Sequence, residues 1–183
     1  MELYTGRPAS DAGREEKEIA VYDLLDSLGI EFQRTDHAAA MTMEDCFEAD
    51  KILGIDICKN LFLCNRQKTK FYLLLIPGKK PFKTKELTKQ IPTSRLSFGT
   101  SEDMERLLNV TPGSATIMGL MFDTENQVQL LVDEDVLKQD EFGCHPCVNT
   151  SSLKMKTKDI FEKYLEAVHH NYISVKLGCW EEA

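Results

Sequence analysis

A chain of 183 residues with 42% apolar and 28% charged side chains has the size of one domain and an ordinary soluble composition, not a disordered one. Its net charge of −8 argues, taken alone, against a nucleic-acid partner, and its densest apolar run, Phe71–Ile76, is far too short to span a bilayer. With no basic and apolar leader at its start and six cysteines of the kind that stay reduced, the sequence predicts a cytosolic protein that uses neither membrane nor DNA.

Residues 1–14 hold Gly6, Pro8 and Gly13 with little apolar content, so a loosely ordered segment is expected there. One domain then follows over 15–177, with a short tail at 178–183. Ile19, Tyr22 and Leu25 fall at helical spacing, and Gly29 is a fitting stop. Residues 30–35 predict a short strand. Thr42, ahead of Glu44 and Asp45, marks a helix start and Gly54 a helix end. Residues 57–64 and 71–76 read as a hairpin around a polar turn, with Pro77, Gly78 and Pro81 punctuating its exit. Short helices are predicted over 84–91 and 101–108. Residues 118–122 and 127–132 read as a second strand pair about a polar turn at 123–126. A strand over 152–156 leads to Thr157, a good N-cap for a last helix through Val168. This mixture predicts an α/β domain with a central, mixed, largely antiparallel sheet flanked by helices.

The charge is uneven. Arg66, Lys68, Lys70, Lys79, Lys80, Lys83, Lys85, Lys89 and Arg95 are opposed in their stretch by Glu86 alone, giving +8 there and −16 elsewhere. Such a stretch can engage phosphates or can be a solvated face. No phosphate loop of the G-x-x-x-x-G-K-[ST] kind, no G-x-G-x-x-G, no G-x-S-x-G and no H-E-x-x-H is present. Cys144-His145-Pro146-Cys147 can be a redox pair or half a zinc site. The residues after it make a poor helix start, however, and Cys58 with Cys64 lacks the spacing of a second zinc knuckle. Two ordinary thiols around a meaningful histidine are the third reading. Lys59 interrupts an apolar run and shares its face with Ile57, Leu61 and Leu63, either because it has a task or because it snorkels from a protruding strand end. The small residues of Thr111-Pro112-Gly113-Ser114-Ala115-Thr116 can present backbone N–H groups to an oxyanion, or form a plain turn.

Four blocks in order carry a resemblance. They are His37 with Thr42-Met43-Glu44; Lys59-Asn60-Leu61-Phe62-Leu63 with the Tyr72-Leu73-Leu74 strand; Phe98-Gly99 with Thr111-Pro112-Gly113-Ser114; and residues 142–153 with His145-Pro146 and Asn149-Thr150. Together they resemble the YbaK/ProX family of aminoacyl-tRNA editing domains, above all its free-standing alanyl-tRNA(Pro) deacylases. The chain departs from the family pattern at Ala38 and Ile117, where many relatives carry proline. The resemblance implies hydrolysis of the ester on mischarged tRNA(Pro), most of all Ala-tRNA(Pro), with Cys and Ser as alternative amino acids and a catalytically degenerate binding module as another class. It implies Lys59 as the essential catalytic residue, and Asn60, Gly113, Ser114 and His145 as substrate-binding residues. Lys79, Lys80, Lys83 and Lys85 are the candidate tRNA contacts. No metal or other cofactor is implied, and prolyl-tRNA synthetase or an elongation factor would be a transient partner.

Overall fold

The computed structural model describes residues 1–39 and 43–178. Thr42, Cys179 and the tail beyond residue 178 lie outside the described residues. Among the described residues, strands form two sheets. One is four-stranded in the order β1-β2-β8-β7 and the other five-stranded in the order β5-β3-β4-β6-β9. The mixed α/β class expected from the sequence is found, with its sheet divided in two.

The four-stranded sheet is antiparallel throughout. Its strands are β1 (Tyr4–Thr5), β2 (Phe32–Asp36), β7 (Glu141–Cys144) and β8 (Ser151–Lys156). Residues 1–14, expected to be loose, are fastened to the body instead. β1 pairs with β2, Thr35 Oγ1 donates to the Glu2 carbonyl at 2.8 Å, and Arg7 bridges to Asp23 at 2.7 Å. Helix α1 (Glu16–Ser27) buries Val21, Tyr22 and Leu25 against this sheet's core. It ends in a Schellman turn: Gly29 takes φ +67°, and the Ile30 N–H reaches the Leu25 carbonyl at 3.0 Å. Helix α2 (Met43–Leu53) stops the same way at Gly54, with Ile55 N–H donating to the Asp50 carbonyl at 3.1 Å.

The five-stranded sheet is mixed. β3 (Lys59–Asn65) and β4 (Phe71–Ile76) form the expected hairpin. β5 (Leu96–Phe98) lies on the outer side of β3, while β6 (Val128–Asp133) runs parallel to β4 and β9 (Tyr172–Val175) parallel to β6. All six residues of β4 are buried, as a central strand covered on both faces requires. Phe62, Leu73 and Leu75 join the core shared with the other sheet, and Leu63, Leu74 and Ile76 join a second cluster on the opposite face with Leu87. Leu87 comes from α3 (Thr84–Thr88), and α4 (Ser101–Leu108) is capped by Thr100, whose hydroxyl accepts from the Asp103 N–H at 3.1 Å.

Two expectations need correction. The pair predicted around 123–126 is not a hairpin. Ile117–Phe122 is a 3-10 turn, and β6 finds its partners in β4 and β9. The Asp123 carboxylate takes the Gln127 and Val128 N–H groups at 3.0 and 2.8 Å, which turns the chain into β6 without a strand before it. Nor does Thr157 cap the last helix. It begins the helical run, its Oγ1 lacks a partner, and the chain continues through a π-helical stretch, Asp159–Tyr164, to Leu165–Ala167. Between that helix and β9, His170 Nε2 faces Asp123 Oδ2 at 3.0 Å and ties the C-terminal strand to the turn before β6.

Candidate active site

Where β3 begins and β4 ends, a cleft of about 490 Å³ opens between the ends of the two sheets. Lys59 and Asn60, the first residues of β3, line it, and so do Gly113 and His145. Four of the five residues assigned to catalysis or substrate from the sequence are thereby brought together. Ser114 is not: its side chain is buried, its N–H donates to the Thr111 carbonyl at 2.9 Å, and Ala115 faces the cleft in its place.

Lys59 is half-buried, and its Nζ donates to the Lys80 carbonyl at 2.7 Å. The ammonium is thus held at the cleft with one donor committed and two left to give. Asn60 Nδ2 donates to the Cys58 carbonyl at 3.2 Å, and its Oδ1 is buried without a partner. Gly113 takes φ +88°, a conformation that favours glycine, and a Cβ there would come 3.6 Å from Asn149 Nδ2. Thr116 fixes this turn to the next segment by donating to the His145 carbonyl at 2.7 Å. Ile117, one of the departures from the family pattern, is fully buried in the shared core and does not line the cleft.

Two histidines face the cleft from the four-stranded sheet. Burial lowers the affinity of His145 for a proton, with the His37 charge acting the same way and its bond to the Ser151 carbonyl opposing. His145 Nδ1 lies 2.8 Å from that carbonyl, so the neutral ring donates there and leaves Nε2 unprotonated. His37 Nδ1 lies 2.8 Å from the Ala38 carbonyl and its Nε2 lies 2.9 Å from Ser152 Oγ, an arrangement in which the serine hydroxyl donates to the ring. A serine–histidine pair therefore exists that the sequence did not reveal, because the two residues are far apart in the chain. Ser152 is 1% exposed, so its oxygen is placed to hold His37 rather than to attack a substrate.

Behind these groups lies a network of charges. Arg14 bridges Glu18 and Asp36 at 2.9 and 3.0 Å, Arg34 also pairs with Asp36, and Ser151 Oγ donates to Asp36 at 2.7 Å. Burial alone would raise the Asp36 carboxyl, but bonds from Arg14, Arg34 and Ser151 outweigh it and hold Asp36 well below the usual carboxylate range. Asp36 precedes His37 and Ser151 precedes Ser152, so the network fixes the backbone that carries both cleft residues.

Helix α2 closes the other side with Phe47 and Asp50. Phe47 is half exposed at the mouth. Burial pushes the Asp50 carboxyl up to about 6; the Ile57 N–H opposes the rise and the Asp56 charge adds to it. The sequence offered no signal for Asp50 beyond its place on a helix.

The four lysines assigned to tRNA separate into different roles. Lys79 is exposed at the cleft rim, 4.0 Å from Asp56. Lys80 is turned inward to Asp133 and Asp135 at 2.8 and 3.0 Å, so it braces the loop instead of presenting its charge. Lys83 and Lys85 are exposed at the start of α3. Cys144 and Cys147 are fully buried, and among the described residues no group of three His, Cys, Asp or Glu side chains could hold a metal.

A family model described as an aminoacyl-tRNA editing domain matches residues 37–163, which takes in every cleft residue named above. The chain belongs to that family. Its editing domain is similar to the prolyl-tRNA editing protein ProX of Acetoanaerobium sticklandii, with 26% identity over 159 residues covering 86% of this chain and 96% of that protein. It is also similar to the prolyl-tRNA synthetase associated domain-containing protein 1 of Danio rerio, 25% identical over 150 residues and covering 81% of this chain and 80% of that one. Among solved structures, a candidate trans-editing enzyme for prolyl-tRNA synthetase shares the fold with a TM-score of 0.66 at 18% identity, over 90% of this chain and 99% of that one.

Proposed function

We propose that this editing domain hydrolyses the ester of mischarged tRNA(Pro), with alanine as the amino acid removed. The observation that carries the reading is the convergence of Lys59, Asn60, Gly113 and His145 on one cleft. Its volume of about 490 Å³ suits an aminoacyl group with its terminal ribose. An aminoacyl ester is labile, so placing a water and stabilising the oxyanion are enough.

In this reaction water adds to the ester carbonyl carbon. The carbonyl oxygen becomes an oxyanion within reach of the Lys59 ammonium and the backbone of the Gly113 turn. The bond to the ribose oxygen then breaks, that oxygen leaves with a proton, and the amino acid departs as a carboxylate. Neutral His145 shapes the cleft and can take up a proton from the water at Nε2. Prolyl-tRNA synthetase or an elongation factor would hand over the charged tRNA transiently.

Such an enzyme acts as a second sieve. A pocket built for proline rejects a smaller amino acid by only about 1–3 kcal/mol per missing methylene, so a second cleft that admits the smaller one completes the selection. The test is a deacylation panel with tRNA(Pro) charged with Ala, Cys, Ser and Pro. Preferential release of alanine with Pro-tRNA spared is expected. Preference for Cys or Ser would move the substrate, and no turnover on any of the four would leave a binding module.

A further inference from the structure

We propose that Asp50 and Asn60 form the subsite for the substrate's α-ammonium group, the Asp50 carboxylate and the Asn60 side-chain carbonyl together receiving its N–H donors. This inference rests on the aminoacyl-ester reading of the cleft and adds which end of the amino acid is held, and by what.

Two residues that line one cleft each carry a buried side-chain oxygen without a hydrogen-bond partner: Oδ1 of Asp50 and Oδ1 of Asn60. They come from α2 and from β3, so each has been left unpaired independently of the other. Buried polar groups are nearly always satisfied, and two orphans in one cleft point to a donor that arrives with a ligand. Because Asn60 Nδ2 is committed to the Cys58 carbonyl, the amide cannot turn round and offer its nitrogen instead.

The missing partner is cationic. Asp50 forms no ion pair among the described residues, and one donor of the cleft cation Lys59 is committed to the Lys80 carbonyl at 2.7 Å. Asp50 also occupies the last turn of α2, where its backbone carbonyl accepts from Gly54 and Ile55 N–H groups. A carboxylate there faces the negative end of the helix dipole. Partial burial, the neighbouring Asp56 charge and an adverse dipole disfavour a negative charge in the free protein against a single N–H from Ile57, and a bound ammonium supplies the missing positive charge. A hydroxyl would bring one donor and no charge, whereas a primary ammonium brings three donors and the charge that Asp50 lacks.

The experiment compares alanyl-tRNA with N-acetyl-alanyl-tRNA, whose nitrogen is neutral and blocked, on the parent protein and on Asp50→Asn. The parent is expected to favour the free amine on the order of 10- to 100-fold in kcat/KM, as a hydrogen bond to a charged group suggests. Asp50→Asn should lose most of that preference through KM on the free amine, with a markedly smaller loss on the acetylated ester. Equal losses on both esters would make Asp50 a residue of the water or of the cleft frame, and would overturn the subsite. So would a parent indifferent to acetylation. If the parent hydrolyses neither ester, the editing reading falls and takes this inference with it. The free proteins give a second readout: near neutral pH Asp50→Asn should melt at a higher temperature than the parent, because the unpaired charge has gone. A lower melting temperature would place Asp50 in the framework and overturn the proposal.

Discussion

Lys59 shows how one side chain can be conspicuous in the sequence and still be half explained by it. Its charge inside an apolar strand was legible, but the two readings, task or protruding end, prove to be compatible. It is the first residue of β3, half-buried, with its ammonium caught by the Lys80 carbonyl across the exit of the hairpin. Lys59→Met keeps the aliphatic stem and removes the charge. It should lower deacylation on the order of 10²- to 10³-fold, as removal of an oxyanion donor does, with a melting temperature close to the parent's. Full activity in that variant would remove Lys59 from the chemistry. Ser152 gives a contrasting case. If its hydroxyl only orients His37, Ser152→Ala should slow turnover without abolishing it and leave the reaction single-step. Complete loss, together with an acyl-enzyme trapped on the parent, would make Ser152 the nucleophile. Neither the Ser152 hydroxyl nor the His37 ring could be given a role from spacing, since their partnership depends on β2 pairing with β8.

At the level of elements, caps and periodicity were readable where the signal is local. α1 ends where Gly29 says it should, α4 covers the predicted 101–108, and the β3–β4 hairpin follows from two apolar runs around a polar turn. The short strands β5, β7 and β9 were missed, because three or four residues become a strand through the neighbour they pair with. The same cause misled the reading of residues 117–122. An apolar run before a polar turn looks like half a hairpin, yet its residues pack into the core as a 3-10 turn while β6 pairs with strands remote in sequence. The joint between β2 and β8 carries a pH dependence with a definite sign. Asp36 is held below the usual carboxylate range, so its contribution to stability is present above the unfolded value of about 4 and is lost as pH falls below it. Urea midpoints measured from neutral pH down to strong acid should fall more steeply for the parent than for Asp36→Asn. Parallel curves would show that Arg14 and Arg34 do not depend on that charge.

Over the whole molecule, a charge excess that is continuous in the sequence is divided in space. Arg66, Lys68 and Lys70 belong to the hairpin turn, at the far end of β3 and β4 from the cleft, about 20 Å away for strands of this length. Ser94 Oγ donates to Gln67 at 3.0 Å and so brings Arg95 to that same end. Lys79 lies at the cleft rim and Lys83 and Lys85 are exposed at the start of α3, while Lys80 is neutralised by Asp133 and Asp135. Replacing Lys79, Lys83 and Lys85 by Ala should therefore raise KM for charged tRNA and flatten its salt dependence by roughly 0.7–0.9 in log–log slope for each phosphate no longer neutralised. The matching change at Arg66, Lys68 and Lys70 should do less. Equal effects would mean that the tRNA lies along the full length of the hairpin. The distribution of thiols provides an experimental handle as well. Burial pushes Cys58 and Cys147 up to about 12 and Cys144 higher than its ordinary value; Cys144 and Cys147 are shut away from solvent, and Cys58 keeps only a buried edge on the cleft. Of the two described cysteines on the cleft, Cys46, half-buried on the same helix as Asp50, is the more accessible, and the raised, buried Cys58 thiol is the less reactive. In a Cys179→Ser background, a maleimide should add once, at Cys46, and a non-hydrolysable aminoacyl-adenosine amide should slow that addition. The protein thus carries its own occupancy gauge, through which ligand affinity can be read by mass spectrometry even in a variant that has lost all turnover.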